Sequence, residues 1–175
     1  MPEFNESLSG GKIGEEEILK KIQIKYPKAF IDGDGKKFSN WDIYIPEINE
    51  SIEVKNDYKS KHTGNLVIEV ECNGKLSALS ITNATYWVFI TGYEYIWITP
   101  LEIYRFLEQH FEYGRVPFVG DGDPYPKKAY LVILNVFKEY IENNLSKIDK
   151  TGWIEKIHEN EVMYYNNFTK NNEND

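Results

Sequence analysis

The chain has 175 residues, with 20 basic and 28 acidic side chains for a net charge of −8; 41% of its residues are hydrophobic and 15% aromatic. So much apolar surface excludes a disordered chain, and the length fits one domain of about 100–200 residues. The single cysteine, Cys72, excludes an internal disulfide framework and a cysteine-cluster zinc site, and the acid excess argues against binding nucleic acid by bulk charge alone.

Residues 1–10 read as a flexible leader, too polar and acidic for a signal peptide. Gly10, Gly11 and Gly14 precede Glu15-Glu16-Glu17-Ile18-Leu19-Lys20-Lys21-Ile22, which predicts a helix with acids in its first turn, ending near Tyr26 ahead of Pro27. Residues 31–37 read as a turn. Residues 41–45 and 51–55 alternate and are rich in β-formers, so they predict two strands joined by a hairpin loop over 46–50. A basic, polar connection follows over 55–65. Residues 66–71 predict a third strand, turned by Asn73-Gly74, and 77–85 a short helix or turn. The apolar run 86–91 suits a strand buried on both faces and is far too short to span a bilayer. Another strand is expected over 95–99, and Pro100 opens a helix. Residues 114–127 read as a long Gly/Pro loop; 130–136 is either a last strand or the start of a helix running to Asn143. From 146 to 175 the chain reads as a polar tail. The order predicts an α/β class: a single-domain mixed β-sheet flanked by helices. The expected setting is soluble and cytoplasmic, with no membrane partner.

The informative stretch is WDIYIPEINESIEVKND, residues 41–57. With the hairpin centred between Glu47 and Ile48, Asp42 stands opposite Glu53, with Cβ atoms about 4.5–5.5 Å apart. Two carboxylates that close repel unless positive charge lies between them, and a hard divalent cation bound by oxygens fits the gap. Lys55 projects from the same face as Glu53, while Trp41, Ile43, Ile45, Ile52 and Val54 fall on a core side. The same alternation also describes an ordinary solvated hairpin. On the first helix, Ile18, Leu19 and Ile22 define the buried stripe; Glu15 falls on it, and Glu16 and Glu17 point away. Glu15 either serves a cation or simply complements the helix dipole.

Taken in order, Gly11-x-x-Gly14-Glu15, Asp42 opening a strand and Glu53-x-Lys55 one hairpin later resemble the PD-(D/E)XK nuclease superfamily. The series EVKND, TGNLVIEVE, NGKLSALSITNATYWVF and a downstream GDG resembles phage-type and Holliday-junction-resolvase-like members, over about residues 11–125. There are departures: Trp41 stands where the name-giving proline would be, Ala78 where a glycine is expected, and Thr85 where an acid is expected before Tyr86. The resemblance implies a restriction-endonuclease-like core over 11–145 and a metal-dependent DNA nuclease, cytoplasmic or virus-encoded and acting in the host cell. It implies that Asp42 and Glu53 ligate Mg2+ or Mn2+ with the Val54 carbonyl, that Lys55 orients and helps deprotonate the attacking water, and that Glu15 holds a second ion or a water on the first. Products would carry 5′-phosphate and 3′-hydroxyl ends.

Lys59, Lys61, His62, Thr63 and Asn65, just beyond this strand, are candidate contacts to DNA phosphates, and Asn83 a substrate-positioning residue; a solvated loop is the plainer reading. Glu69 and Glu71 read as acids of an exposed strand, with Glu69 at the border of the site as the alternative; Tyr86-Trp87 reads as core or, for Tyr86, as a substrate-positioning residue beside Asn83. Asp121-Gly122-Asp123 reads as a turn ahead of a calcium loop, and Lys127-Lys128 as a surface pair ahead of a DNA contact. Trp153, Tyr164, Tyr165 and Phe168 in the tail would dock on a partner subunit or stack on bases. Small size and a substrate with two strands lead to the expectation of a homodimer. Nothing resembles a Gly-rich phosphate loop, a Ser-His-Asp set or a nicotinamide fingerprint, so no nucleotide cofactor is expected. The rival expectation is a catalytically inactive DNA-binding or assembly subunit with a nuclease-like fold.

Overall fold

A computed structural model describes residues 2–33, 41–92, 94–110, 112–118 and 124–144, with the backbone alone over 2–10 and at 118. Asp121 to Asp123 and the tail aromatics lie outside the described residues. The elements run α1 (Pro2–Gln23), β1 (Phe30–Ile31), β2 (Ile43–Ile45), β3 (Glu50–Asn56), α2 (Ser60–Thr63), β4 (Asn65–Cys72) and β5 (Lys75–Leu76). A 3-10 turn (Ala78–Ser80), β6 (Tyr86–Ile90), β7 (Tyr95–Ile98), α3 (Pro100–Gln109), β8 (Arg115–Phe118), β9 (Lys127–Ile133) and α4 (Leu134–Asn144) complete them.

The class is mixed α/β, but the strands form two sheets where one was expected. The first has the order β1-β2-β3-β6-β7, with β3 and β6 parallel and the other pairs antiparallel; the second has the order β5-β4-β9-β8, antiparallel throughout. The cause lies at the edge of β3. The buried run Tyr86–Ile90 takes that edge in parallel, so β4 pairs with β9 instead. All five residues of β6 are buried, as a strand covered on both faces requires.

Two apolar clusters cover the two faces of the first sheet. Ile18 and Ile22 of α1 pack with Ile43, Ile45, Ile52, Val54, Val88 and Trp97. On the other face, Trp87 and Phe89 pack with Leu66, Ile68 and Val132 of the second sheet and with Phe106 and Phe137 of α3 and α4. Alternation thus sorts β3 as expected: Ile52 and Val54 go to α1, which leaves Glu53 and Lys55 for the face that carries Trp87. Trp41 departs from this alternation. It packs against the second cluster, stacks on Tyr44 at 6.0 Å, and its indole N–H donates to Asp32 at 2.8 Å.

Other expectations shift as well. The leader is helical in backbone, because α1 begins at Pro2 and runs through Gly11 and Gly14. A glycine inside a helix costs only about 1 kcal/mol, too little to set a boundary. β8 forms inside the stretch read as a loop; it sits at a sheet edge, where Pro117 is tolerated. The ambiguous segment is both things in turn, strand to Ile133 and helix from Leu134. Asn73 and Gly74 turn β4 into β5 with φ of 50° and 74°, as the Asn-Gly pair predicts. Among the described residues, no helix is long and apolar enough to cross a membrane.

Candidate active site

The β2–β3 hairpin brings the central pair together. Ile43 faces Ile52, Tyr44 faces Ser51 and Ile45 faces Glu50, and the same register carried one step back sets Asp42 opposite Glu53. Asp42 stays attached to β3 beyond the regular strand: its N–H donates to the Ile52 carbonyl at 2.9 Å, and its Oδ2 accepts from the Val54 N–H at 2.7 Å. Val54 therefore serves the site through its backbone while its side chain is buried against α1.

Lys55 donates to Glu53 Oε1 at 2.6 Å, and its ammonium lies 4.9 Å from the centroid of the Trp87 ring. Both side chains are largely shielded, 30% exposed for Lys55 and 18% for Glu53. That shielding sets the electrostatics. Burial pushes the Asp42 carboxyl up to about 7, and Glu53 and then Glu15 push the same way against the Val54 N–H and Lys55. For Lys55, burial disfavours the charge, but Glu53, Asp42 and Glu69 outweigh it and hold the ammonium above the ordinary lysine range. Burial first, and the facing Glu53 carboxylate after it, thus favour the protonated form of Asp42 below about pH 7.

Glu15 is half-buried on α1, within electrostatic reach of Asp42, while Glu16 is exposed. Glu17 does not point away as expected; it is half-buried and accepts a hydrogen bond from Tyr95. Helix α1 comes close because Gly14 lacks a side chain. A Cβ there would stand 3.0 Å from Ile90 Cδ1 and 3.4 Å from Asn56 Nδ2.

The candidate DNA contacts are all exposed, and five of them sit together. Lys59, Lys61, His62 and Thr63 belong to or flank α2, and Asn65 opens β4, all past the C-terminal end of β3. Asn83 lies elsewhere, in the turn ahead of β6, at the end where β3 and β6 begin. In that turn, Thr85 exchanges hydrogen bonds with Ser51, its Oγ1 accepting from the Ser51 N–H at 3.0 Å and its N–H donating to Ser51 Oγ at 3.1 Å. The residue standing where an acid was expected thus fastens this turn to β3.

Spacing did not show what surrounds Glu69. It is half-buried, accepts from Ser77 at 2.8 Å and pairs with Lys127 at 3.0 Å; Glu71 pairs with Lys128 at 3.4 Å. The acids read as exposed-strand groups and the lysines read as a surface pair are partners across β4 and β9, and Glu69 also helps hold Lys55 charged. The one signal in the sequence was two acids at alternate positions of β4 and two adjacent lysines ahead of the last strand, which names no pairing.

Among the described residues, no group of three or more His, Cys, Asp and Glu side chains is placed to hold a metal ion. The donor set nevertheless suits a hard divalent cation: Asp42 and Glu53 offer only oxygens, and once Asp42 is ionised the charge of the pair exceeds that of the ammonium beside them. No family model, no curated protein and no solved structure matches the chain. The residues themselves define the class, a mixed α/β protein carrying a shielded carboxylate pair and a lysine on one hairpin.

Proposed function

We propose that the chain is a Mg2+- or Mn2+-dependent deoxyribonuclease that hydrolyses phosphodiester bonds, an endonuclease on duplex or branched DNA. The observation that supports it most is the Asp42–Glu53 pair facing across the hairpin with Lys55 beside Glu53 on β3, shielded so that burial, with Glu53 adding to it, lifts Asp42 to about 7. Asp42 and Glu53 would hold the ion, with the Val54 carbonyl and Glu15 as further oxygen donors. Bound there, Mg2+ or Mn2+ lowers the pKa of water and neutralises charge that develops on the phosphoryl oxygens. The Val54 N–H fixes the Asp42 carboxylate, and the hairpin register fixes Glu53 against it. Lys55, held protonated, positions a water or a phosphate oxygen as a donor; to act as a base it must first lose the hold of Glu53. The exposed residues around α2 supply cations for flanking phosphates. A homodimer would cut both strands, and sedimentation with and without DNA tests that part separately.

The test is incubation with branched, linear and single-stranded DNA in Mn2+, beside Asp42→Ala and Glu53→Gln. Metal-dependent cleavage by the wild type alone is the expected result; no cleavage of any substrate overturns the enzyme reading. One observation favours an inactive DNA-binding or assembly subunit: Lys55 is closed on Glu53 at 2.6 Å, supplying the counter-charge a metal would otherwise bring. In that case Mn2+ does not raise the stability of the wild type, and Glu53→Gln leaves DNA binding unchanged.

A further inference from the structure

The segment between the two sheets presents a surface of its own. Residues 58–65, Tyr-Lys-Ser-Lys-His-Thr-Gly-Asn, contain no acid in a chain with 28 acids against 20 bases. Asp57, just before it, is turned inward. Its N–H donates to Ile90 at 2.8 Å, its Oδ2 accepts from the Val67 N–H at 3.0 Å, and its carbonyl accepts from Ser60 Oγ at 2.6 Å. Ser60 is fully buried, and Gly64, at a φ of +71°, closes α2 by donating to the Ser60 carbonyl at 2.8 Å. With the backbone fixed at these points, Tyr58, Lys59, Lys61 and His62 are all exposed, Tyr58 to 41%. The Lys61 stem crosses the end of β6 where Gly92 makes room; a Cβ on Gly92 would stand 2.7 Å from Lys61 Cδ. Partial burial and the Glu17 carboxylate push the Tyr58 hydroxyl above the usual tyrosine range.

We infer that Tyr58 is a stacking platform for an unpaired base, with Lys59, Lys61 and His62 on the phosphates of the same strand, so that the site takes DNA with a single-stranded segment in preference to continuous duplex. In a duplex both faces of a base are covered by its neighbours, so a protein ring stacks only on a base that has left the helix. Every base has such a face, so the preference is for structure and not for sequence. Tyr58 follows Lys55 by three residues, at most about 10 Å of chain, or about three nucleotide steps. The inference rests on the nuclease reading for what the platform serves, though not for the binding chemistry.

The test is fluorescence anisotropy of the full chain in EDTA, with a short labelled oligonucleotide and the duplex of the same sequence. Tyr58→Ala is expected to weaken single-strand binding about tenfold and duplex binding less than about twofold, while Tyr58→Phe and Tyr58→Trp keep both. Lys59→Ala with Lys61→Ala should weaken both forms and lower the salt slope by between about one and two. The platform is overturned if wild type binds no single strand, if Tyr58→Ala changes single-strand affinity less than about twofold, if both forms weaken alike, or if Tyr58→Phe loses as much as Tyr58→Ala. Binding is read without divalent metal, so absent cleavage overturns the enzyme reading alone, and an inert Tyr58 beside intact cleavage overturns the platform alone.

Discussion

Asp42 carries a conflict that a cation would resolve, and the conflict is measurable. Its carboxyl sits at about 7 in the folded protein against 3.8 ordinarily. From about pH 4 to pH 7 the folded, metal-free chain holds a proton that the unfolded chain has released, so stability falls as pH rises, by about 1.4 kcal/mol per unit. An asparagine side chain at this position has no charge to bury and still accepts from the Val54 N–H. In EDTA, Asp42→Asn should therefore raise the unfolding free energy by up to about 4 kcal/mol at pH 8, with the gain shrinking toward pH 4, as read by urea titration. Mn2+ at pH 8 should raise the melting temperature of wild type and leave the variant unmoved. A variant less stable than wild type at pH 8 would mean that the carboxylate is already compensated. Lys55 makes the opposite case, since its ammonium is a counter-charge within the fold. Lys55→Ala should lower cleavage by at least about a hundredfold, yet bind Mn2+ as well as wild type or better, because a competing cation has gone. Calorimetry with Mn2+ beside the cleavage assay separates the two effects.

At the level of elements, α1 shows how little a glycine says until its surroundings are known. Gly11 has nothing within 4 Å of the position a Cβ would take, whereas Gly14 has Ile90 Cδ1 at 3.0 Å. Gly11→Ala should stabilise by about 0.5–1 kcal/mol, and Gly14→Val should destabilise by about 2 kcal/mol or more as α1 is lifted from β3 and β6. Thermal melts of the two variants check this, and Gly14→Val should also lower cleavage because Glu15 moves with the helix. The same helix marks where the sequence stops being legible. Its buried stripe, Ile18 and Ile22, followed from period 3.6, and the Asp42–Glu53 pairing from period two plus a short loop. Both are local rules. That β6 pairs with β3 and β4 with β9 depends on which edges lie open in three dimensions, and no short-range pattern holds that information. The lysine over Trp87 and the Glu69–Lys127 pair escaped for the same reason, although every residue in them was in plain view.

For the molecule as a whole, the question is what keeps the two sheets in one arrangement, because the candidate site draws on both. Glu53 and Lys55 come from the first sheet, while Glu69, which helps hold Lys55 charged, comes from the second. The chain crosses between them over 57–64, and Asp57 bonds both sides: its N–H reaches Ile90 in the first sheet and its carboxylate receives the Val67 N–H from the second. Burial pushes this carboxyl above its ordinary range, and the Val67 and Ser60 hydrogen bonds work against that push. Removing the carboxylate leaves a half-buried backbone N–H without its acceptor, a loss of about 1–3 kcal/mol. Asp57→Ala should therefore destabilise by that amount, whereas Asp57→Asn, which keeps an acceptor oxygen and buries no charge, should stay within about 1 kcal/mol of wild type. Because the same bonds hold α2 in place, Asp57→Ala should also weaken DNA binding in EDTA even at temperatures where the variant is fully folded, and Asp57→Asn should not. Hydrogen exchange at Val67 gives a local reading: its amide should lose protection in the alanine variant ahead of the central β6 amides. If Val67 stays protected and DNA affinity is unchanged, the sheets are held by the apolar cluster of Trp87, Leu66 and Val132 alone, and the crossover only follows them.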